Sequence, residues 1–168
     1  MKRSVPPLLF LCLVMTFASC SGKLLRKDPE PARTFTVRFS ASRADSVFEG
    51  ELSCYDRNDI RIAFTAPAPL EGFSVKTDGE RYLVDAYGVP DCFRFEEAGT
   101  DSLLNVLISS LRAAVYTNGG TFVRDRETGG FHAEITVENV TVTVCFGENG
   151  IPVSLEAPGI GLSVRFLC

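Results

Sequence analysis

Residues 60–88 read IRIAFTAPAPLEGFSVKTDGERYLVDAYG, and this stretch decides the fold. Ile60, Ile62 and Phe64 alternate with Arg61 and Ala63, the period of two that sends successive side chains to opposite faces of a strand. Pro67 and Pro69 follow at once, and proline cannot donate to a neighbouring strand. Asp78-Gly79 then separates FSVKT from ERYLVDAY, a pair that favours the tight turn of a hairpin. Strand, bend, strand, turn, strand: the stretch is a piece of antiparallel meander.

The same period extends outward in both directions. Upstream, Phe35, Val37 and Phe39 share a face of FTVRFS, and Phe48, Leu52 and Cys54 share a face of VFEGELSC, with Gly50 placed where that strand can bend. Downstream, FHAEITV aligns Phe131, Ala133, Ile135 and Val137, and NVTVTVCF aligns Val140, Val142, Val144 and Phe146. The turn GENG leads to IPVSLEA, and Ile160, Leu162, Val164 and Phe166 alternate through GIGLSVRF. Roughly ten short strands at hairpin spacing predict a mainly β domain of α+β class, a curved antiparallel sheet over residues 34–168.

One segment departs from that period. TDSLLNVLISSLRAAVYTNGG (100–120) predicts a helix capped by Thr100 or Asp101 and closed by Asn118-Gly119. Leu103, Leu104, Leu107, Leu111, Ala114 and Val115 make a broad apolar side, and Ser102, Asn105, Ser109 and Arg112 a narrow polar stripe. Such a helix must bury itself, and the concave face of the sheet is the surface available. Its leucines are either ordinary core or the wall of an apolar cavity. In the second case Leu104, Leu107 and Leu111 would line it together with Ile62, Phe64 and Tyr82.

The N-terminus predicts a destination. Lys2 and Arg3 precede an apolar run, Leu8 to Phe17, too short to cross a bilayer as a helix. Charged start, short apolar core and small residues at its end read as a signal peptide. Phe17-Ala18-Ser19-Cys20 resembles the bacterial lipobox, with Phe17 in place of the usual leucine. On that reading residues 1–19 are removed and Cys20 carries diacylglycerol, so the protein sits on the extracytoplasmic side of a cell membrane. Ordinary cleavage after Ala18 or Cys20 would instead leave a secreted protein. Residues 20–33 read as a tether, kept out of helix by Pro29 and Pro31. Its Lys23, Arg26, Lys27 and Arg33 either supplement the anchor at anionic headgroups or are simply solvated.

Composition excludes more than it assigns. The chain has a net charge of −4, two units more negative once Lys2 and Arg3 leave. Its basic residues are scattered, so no nucleic-acid groove is expected. Cys54, Cys92, Cys145 and Cys168 allow three pairings if oxidised, or remain thiols. No spacing marks a metal or cofactor site, and none is expected. His132, the only histidine, lies between Phe131 and Ala133 on a strand and reads as structural rather than catalytic. Glu96 and Glu97 are adjacent on a strand or loop, so they point apart, a poor arrangement for paired-carboxylate chemistry. The domain does not read as an enzyme.

Arg61, Phe64, Pro67, Pro69, Leu70, Asp78, Gly79 and Tyr82, in this order and setting, resemble the LolA/LolB-like lipoprotein-localisation family. Two strands before the block, then a helix and a meander after it, match the family's order. The resemblance implies an incomplete β-barrel whose apolar inner face holds acyl chains, and, for some relatives in spore-forming bacteria, lipoproteins that partner cell-wall enzymes. Two departures stand out. The soluble carriers have an amphipathic helix before the first strand and no lipid anchor, so the anchored receptor is the closer analogue. Arg61 matches the carrier's lid-tethering arginine, but strict alternation with Ile60 and Ile62 points it outward. Two functions are therefore expected to compete: binding of a lipid or a lipoprotein's acyl chain in the concave face, or an anchored adaptor docking on an envelope, cell-wall or spore-cortex enzyme.

Overall fold

The computed structural model describes residues 29–99, 102–117 and 121–167. The signal peptide, Cys20 and the tether as far as Asp28 lie outside these residues. Eleven strands follow in sequence: β1 (Phe35–Arg43), β2 (Ser46–Cys54), β3 (Ile60–Ala66), β4 (Phe73–Thr77), β5 (Arg81–Ala86) and β6 (Val89–Arg94) precede a helix α1 (Leu103–Tyr116). After it come β7 (Phe122–Arg124), β8 (Phe131–Val137), β9 (Val140–Phe146), β10 (Pro152–Ala157) and β11 (Leu162–Leu167).

They form one open sheet in the order β6-β5-β4-β3-β2-β1-β11-β10-β9-β8-β7, antiparallel throughout. The chain meanders outward to one edge, crosses over, and meanders back from the other, so β1 and β11 meet in the middle. β6 and β7 are consecutive in sequence yet lie at opposite edges. Laid flat, such a sheet would be about 48 Å wide at ~4.8 Å per strand, whereas a helix of α1's length spans about 21 Å. The sheet curls, and α1 crosses its concave face, packed chiefly on β8 and β9.

The alternation expected from sequence matches the observed burial. Phe35, Val37 and Phe39 of β1 are buried while Thr36 and Arg38 are exposed, and Ile60, Ile62 and Phe64 of β3 are buried while Arg61 and Ala63 are exposed. Leu162, Val164 and Phe166 line the inner side of β11. Fully burying each such side chain contributes roughly 1.5–3 kcal/mol. Gly50 is where β2 shifts register against β3, and a side chain there would strike the Ala63 carbonyl and the Phe39 ring. The expected bend is thus a bulge over an aromatic ring.

The strand pattern and the helix caps need correction. Two strands were not legible: β6, whose VPDCFR carries a proline and no apolar alternation, and β7, only three residues long. The N-cap of α1 is neither Thr100 nor Asp101 but Ser102, whose hydroxyl accepts from the Asn105 amide at 3.1 Å. Thr117 closes the helix, its amide and hydroxyl both donating to the Ala113 carbonyl; Asn118 and Gly119 lie outside the described residues. Glu96 and Glu97 occupy a 3-10 turn, Phe95–Ala98, the loop of the two alternatives. Cys54, Cys92 and Cys145 are free thiols, and Cys168 is outside the described residues.

Candidate functional site

All six residues expected to line a cavity belong to one continuous core. Ile62 is 1%, Phe64 6%, and Tyr82, Leu107 and Leu111 0% exposed; Leu104 is half-buried against them. The reason is the helix. On α1 the buried residues run around most of the circumference: Asn105, Val106, Leu107, Ile108, Ser110, Leu111, Ala114 and Val115. Such a helix is enclosed on three sides by the curled sheet, and its own side chains fill the trough.

The polar stripe of α1 is not a solvated face. Asn105 is 3% exposed. Its Oδ1 accepts from the Tyr82 hydroxyl at 3.3 Å and the Ser109 hydroxyl at 3.1 Å, and its Nδ2 donates to the Gly99 carbonyl at 3.3 Å. Burying Asn105 costs little because these partners replace water. Tyr82 lies between Phe93 and Phe95, with ring centroids 5.4 and 4.5 Å away, and burial pushes its hydroxyl well above the ordinary tyrosine range. One turn on, Arg112 donates to the Gly79 carbonyl at 3.2 Å and lies over the Phe95 ring. The stripe therefore pins α1 to the β5 side. Sequence reasoning had the stripe but not Asn105's burial, because only the fold brings Tyr82 to it.

Outside the core, Arg61 points outward as the alternation requires. It binds Asp59 through two hydrogen bonds of 2.9 and 3.0 Å and covers the Tyr55 ring. His132 sits half-buried on the outer side of β8, between Val123 of β7 and Cys145 of β9. Glu97 accepts the Arg94 amide at 2.7 Å. Cys54 is buried, shares a hydrogen bond with the Tyr116 hydroxyl at 3.3 Å, and has its thiol pushed up chiefly by burial. Among the described residues, no three His, Cys, Asp or Glu side chains are grouped to hold a metal ion, and no helix is long and apolar enough to cross a membrane.

The two sheet edges are finished differently. On β6, pairing with β5 turns the amides of Val89, Asp91 and Phe93 inward and leaves positions 90, 92 and 94 facing out. Pro90 has no amide proton. The Cys92 amide is bound by the Asp91 carboxylate at 2.8 Å and the Arg94 amide by Glu97. On β7 the Asp125 amide donates to the Gly130 carbonyl on the β8 side at 2.9 Å, so strand alternation turns Phe122 and Arg124 outward. Among the described residues nothing covers those amides, and Val123 beside them is 49% exposed.

No family model and no curated protein sequence matches the chain. Among solved structures it is similar to a LolA superfamily protein from Nitrosomonas europaea, at 15% identity over 79% of this chain and 66% of that one, just under two thirds, with a TM-score of 0.40. An uncharacterised conserved protein from Thermus thermophilus is 10% identical over 78% of this chain and 74% of that one, with a TM-score of 0.49. A chain from the complex of the CwlD amidase with the GerS lipoprotein of Clostridioides difficile is 11% identical over 94% and 88%, with a TM-score of 0.42. The first of these bears the family name that the Ile60–Gly88 block resembles, and at such identities and TM-scores the likeness is one of outline, silent on what this chain binds.

Proposed function

We propose that the chain is an extracytoplasmic lipoprotein, held to the membrane through diacylglyceryl-Cys20, that works without catalysis as an adaptor for an envelope or cell-wall enzyme. The partner adds an extended segment to the β7 edge. The contrast between the two edges carries this reading: outward amides are blocked along β6 and, among the described residues, uncovered on β7. Exposed strand edges are a liability that proteins ordinarily blunt, and strand addition is a common mode of peptide recognition. A photo-crosslinking residue at Val123 in cells should trap a specific envelope protein, and one at Leu83, on the outer side beside β6, should not. Equal trapping at both positions, or none at either, would overturn the reading. Anchoring is tested separately: Cys20→Ala should release the protein from membranes washed at high salt.

A second reading is supported by the thinness of the cover. One helix, held toward β5 by the bonds of Asn105 and Arg112, lies between solvent and the apolar inner face. If it lifts, Ile62, Phe64, Tyr82, Leu104, Leu107 and Leu111 would receive an acyl chain. Binding of a fluorescent fatty acid by the wild type, altered in Leu107→Ala, would favour this reading; no binding would leave the adaptor alone.

A further inference from the structure

One end of the domain brings two guanidinium groups to the same hollows. The loop after β2 (residues 55–59), the turn after β4 (residues 78–80) and the last turns of α1 meet there, around hollows of about 360 and 210 Å³ that Arg57 and Arg112 both line. Arg112 is held in place by the Gly79 carbonyl and the Phe95 ring. Arg57, exposed on its loop, is near enough to act on Arg112 as a like charge, which adds to burial in drawing that guanidinium below its ordinary range.

The neighbouring acids keep their charge, but their oxygens are held by other partners. Asp56 accepts the amides of Asn58 and Asp59. Asp59 is held by Arg61 and Lys76. Asp78 binds Arg81 and two backbone amides. Among the described residues that leaves Glu80 as the one carboxylate on the larger hollow without such a bond, against two guanidiniums. Paired guanidinium forks suit a tetrahedral oxyanion, which accepts several N–H bonds at once.

The tether enters at this same end. The Arg33 carbonyl accepts from the Tyr116 hydroxyl at the close of α1, and the Thr34 hydroxyl donates to the Tyr55 carbonyl at 3.4 Å. Cys20 and Arg33 are thirteen positions apart, a reach of at most about 47 Å when fully extended. We propose that Arg57 and Arg112 form a binding site for the phosphate of an anionic phospholipid headgroup, orienting the domain with this end against the membrane. The proposal rests on the anchor at Cys20.

The test uses the lipidated protein in nanodiscs of phosphatidylglycerol or of phosphatidylcholine, read by amide hydrogen exchange at residues 55–59 and 109–117. Exchange there should slow at least tenfold in phosphatidylglycerol relative to phosphatidylcholine, and the slowing should vanish in Arg57→Gln. Arg112→Gln should behave alike, but Arg57, exposed on a loop, is the variant that decides should Arg112→Gln unfold. Equal exchange in both lipids, or slowing that survives Arg57→Gln, would overturn the proposal. Equal slowing by inorganic phosphate in detergent would reassign the site to a free oxyanion, and equal slowing by poly-glutamate to an acidic protein; either result overturns the headgroup assignment. Failure to enter phosphatidylcholine nanodiscs at all would instead show that the anchor is missing.

Discussion

The wing β2–β6 and the wing β7–β10 hold the same helix by different means. Toward β5, α1 offers Asn105 and Arg112, and the contact is a set of directed bonds to Tyr82, Gly99 and Gly79. Toward β8 and β9 it packs closely, and Leu107, two residues and roughly half a turn from Asn105, is fully buried. Among the described residues the same asymmetry continues to the edges, blocked at β6 and uncovered at β7. Directional bonds fix where a helix sits, whereas apolar packing supplies most of the energy that keeps it there. One wing sets position and the other stability.

Leu107→Ala should give the largest effect, a loss of roughly 2–5 kcal/mol in chemical denaturation, because the cavity it leaves cannot fully collapse. A loss well under 1 kcal/mol would mean that the leucine faces an open space instead. Asn105→Ala should cost less, about 1–3 kcal/mol, by stranding buried polar partners. Tyr82→Phe should cost about 1 kcal/mol, since Asn105 keeps the Ser109 bond. If the two polar-side variants proved costlier than Leu107→Ala, the division between the wings would be wrong.

Thiol labelling sharpens the same contrast without changing stability. Cys92 on β6 is exposed, whereas Cys54 is buried with its thiol pushed up, and the thiolate is the reacting species. A maleimide at neutral pH should therefore modify Cys92 well before Cys54. The smallest effect on stability belongs to the edge. Asp91→Ala with Glu97→Ala should change folding by about 0.5 kcal/mol or less, yet free the Cys92 and Arg94 amides. Sedimentation should then show more self-association than the wild type does; a variant that sediments like the wild type would mean that the carboxylates do not guard that edge.

Much of the sheet was legible because alternation is a local property. Ile60, Ile62 and Phe64 announce both a strand and its inner face, and Asp78-Gly79 announces the turn through a carboxylate that accepts amides two and three residues on. The edges were not legible, because VPDCFR carries no apolar period and FVR is only three residues long. They are strands only because β5 and β8 supply partners.

Sequence alone determined the strand pattern, the outward direction of Arg61, the helix and its two-sided character, since each depends on residues within a few positions of one another. Tertiary structure decided that the polar stripe lies buried against Tyr82, that the leucines are packed, that Arg57 and Arg112, fifty-five positions apart, line the same hollows, and that among the described residues one edge is closed and the other open. Those facts depend on which strands become neighbours when the sheet curls, and the period of a single strand carries no record of its partners.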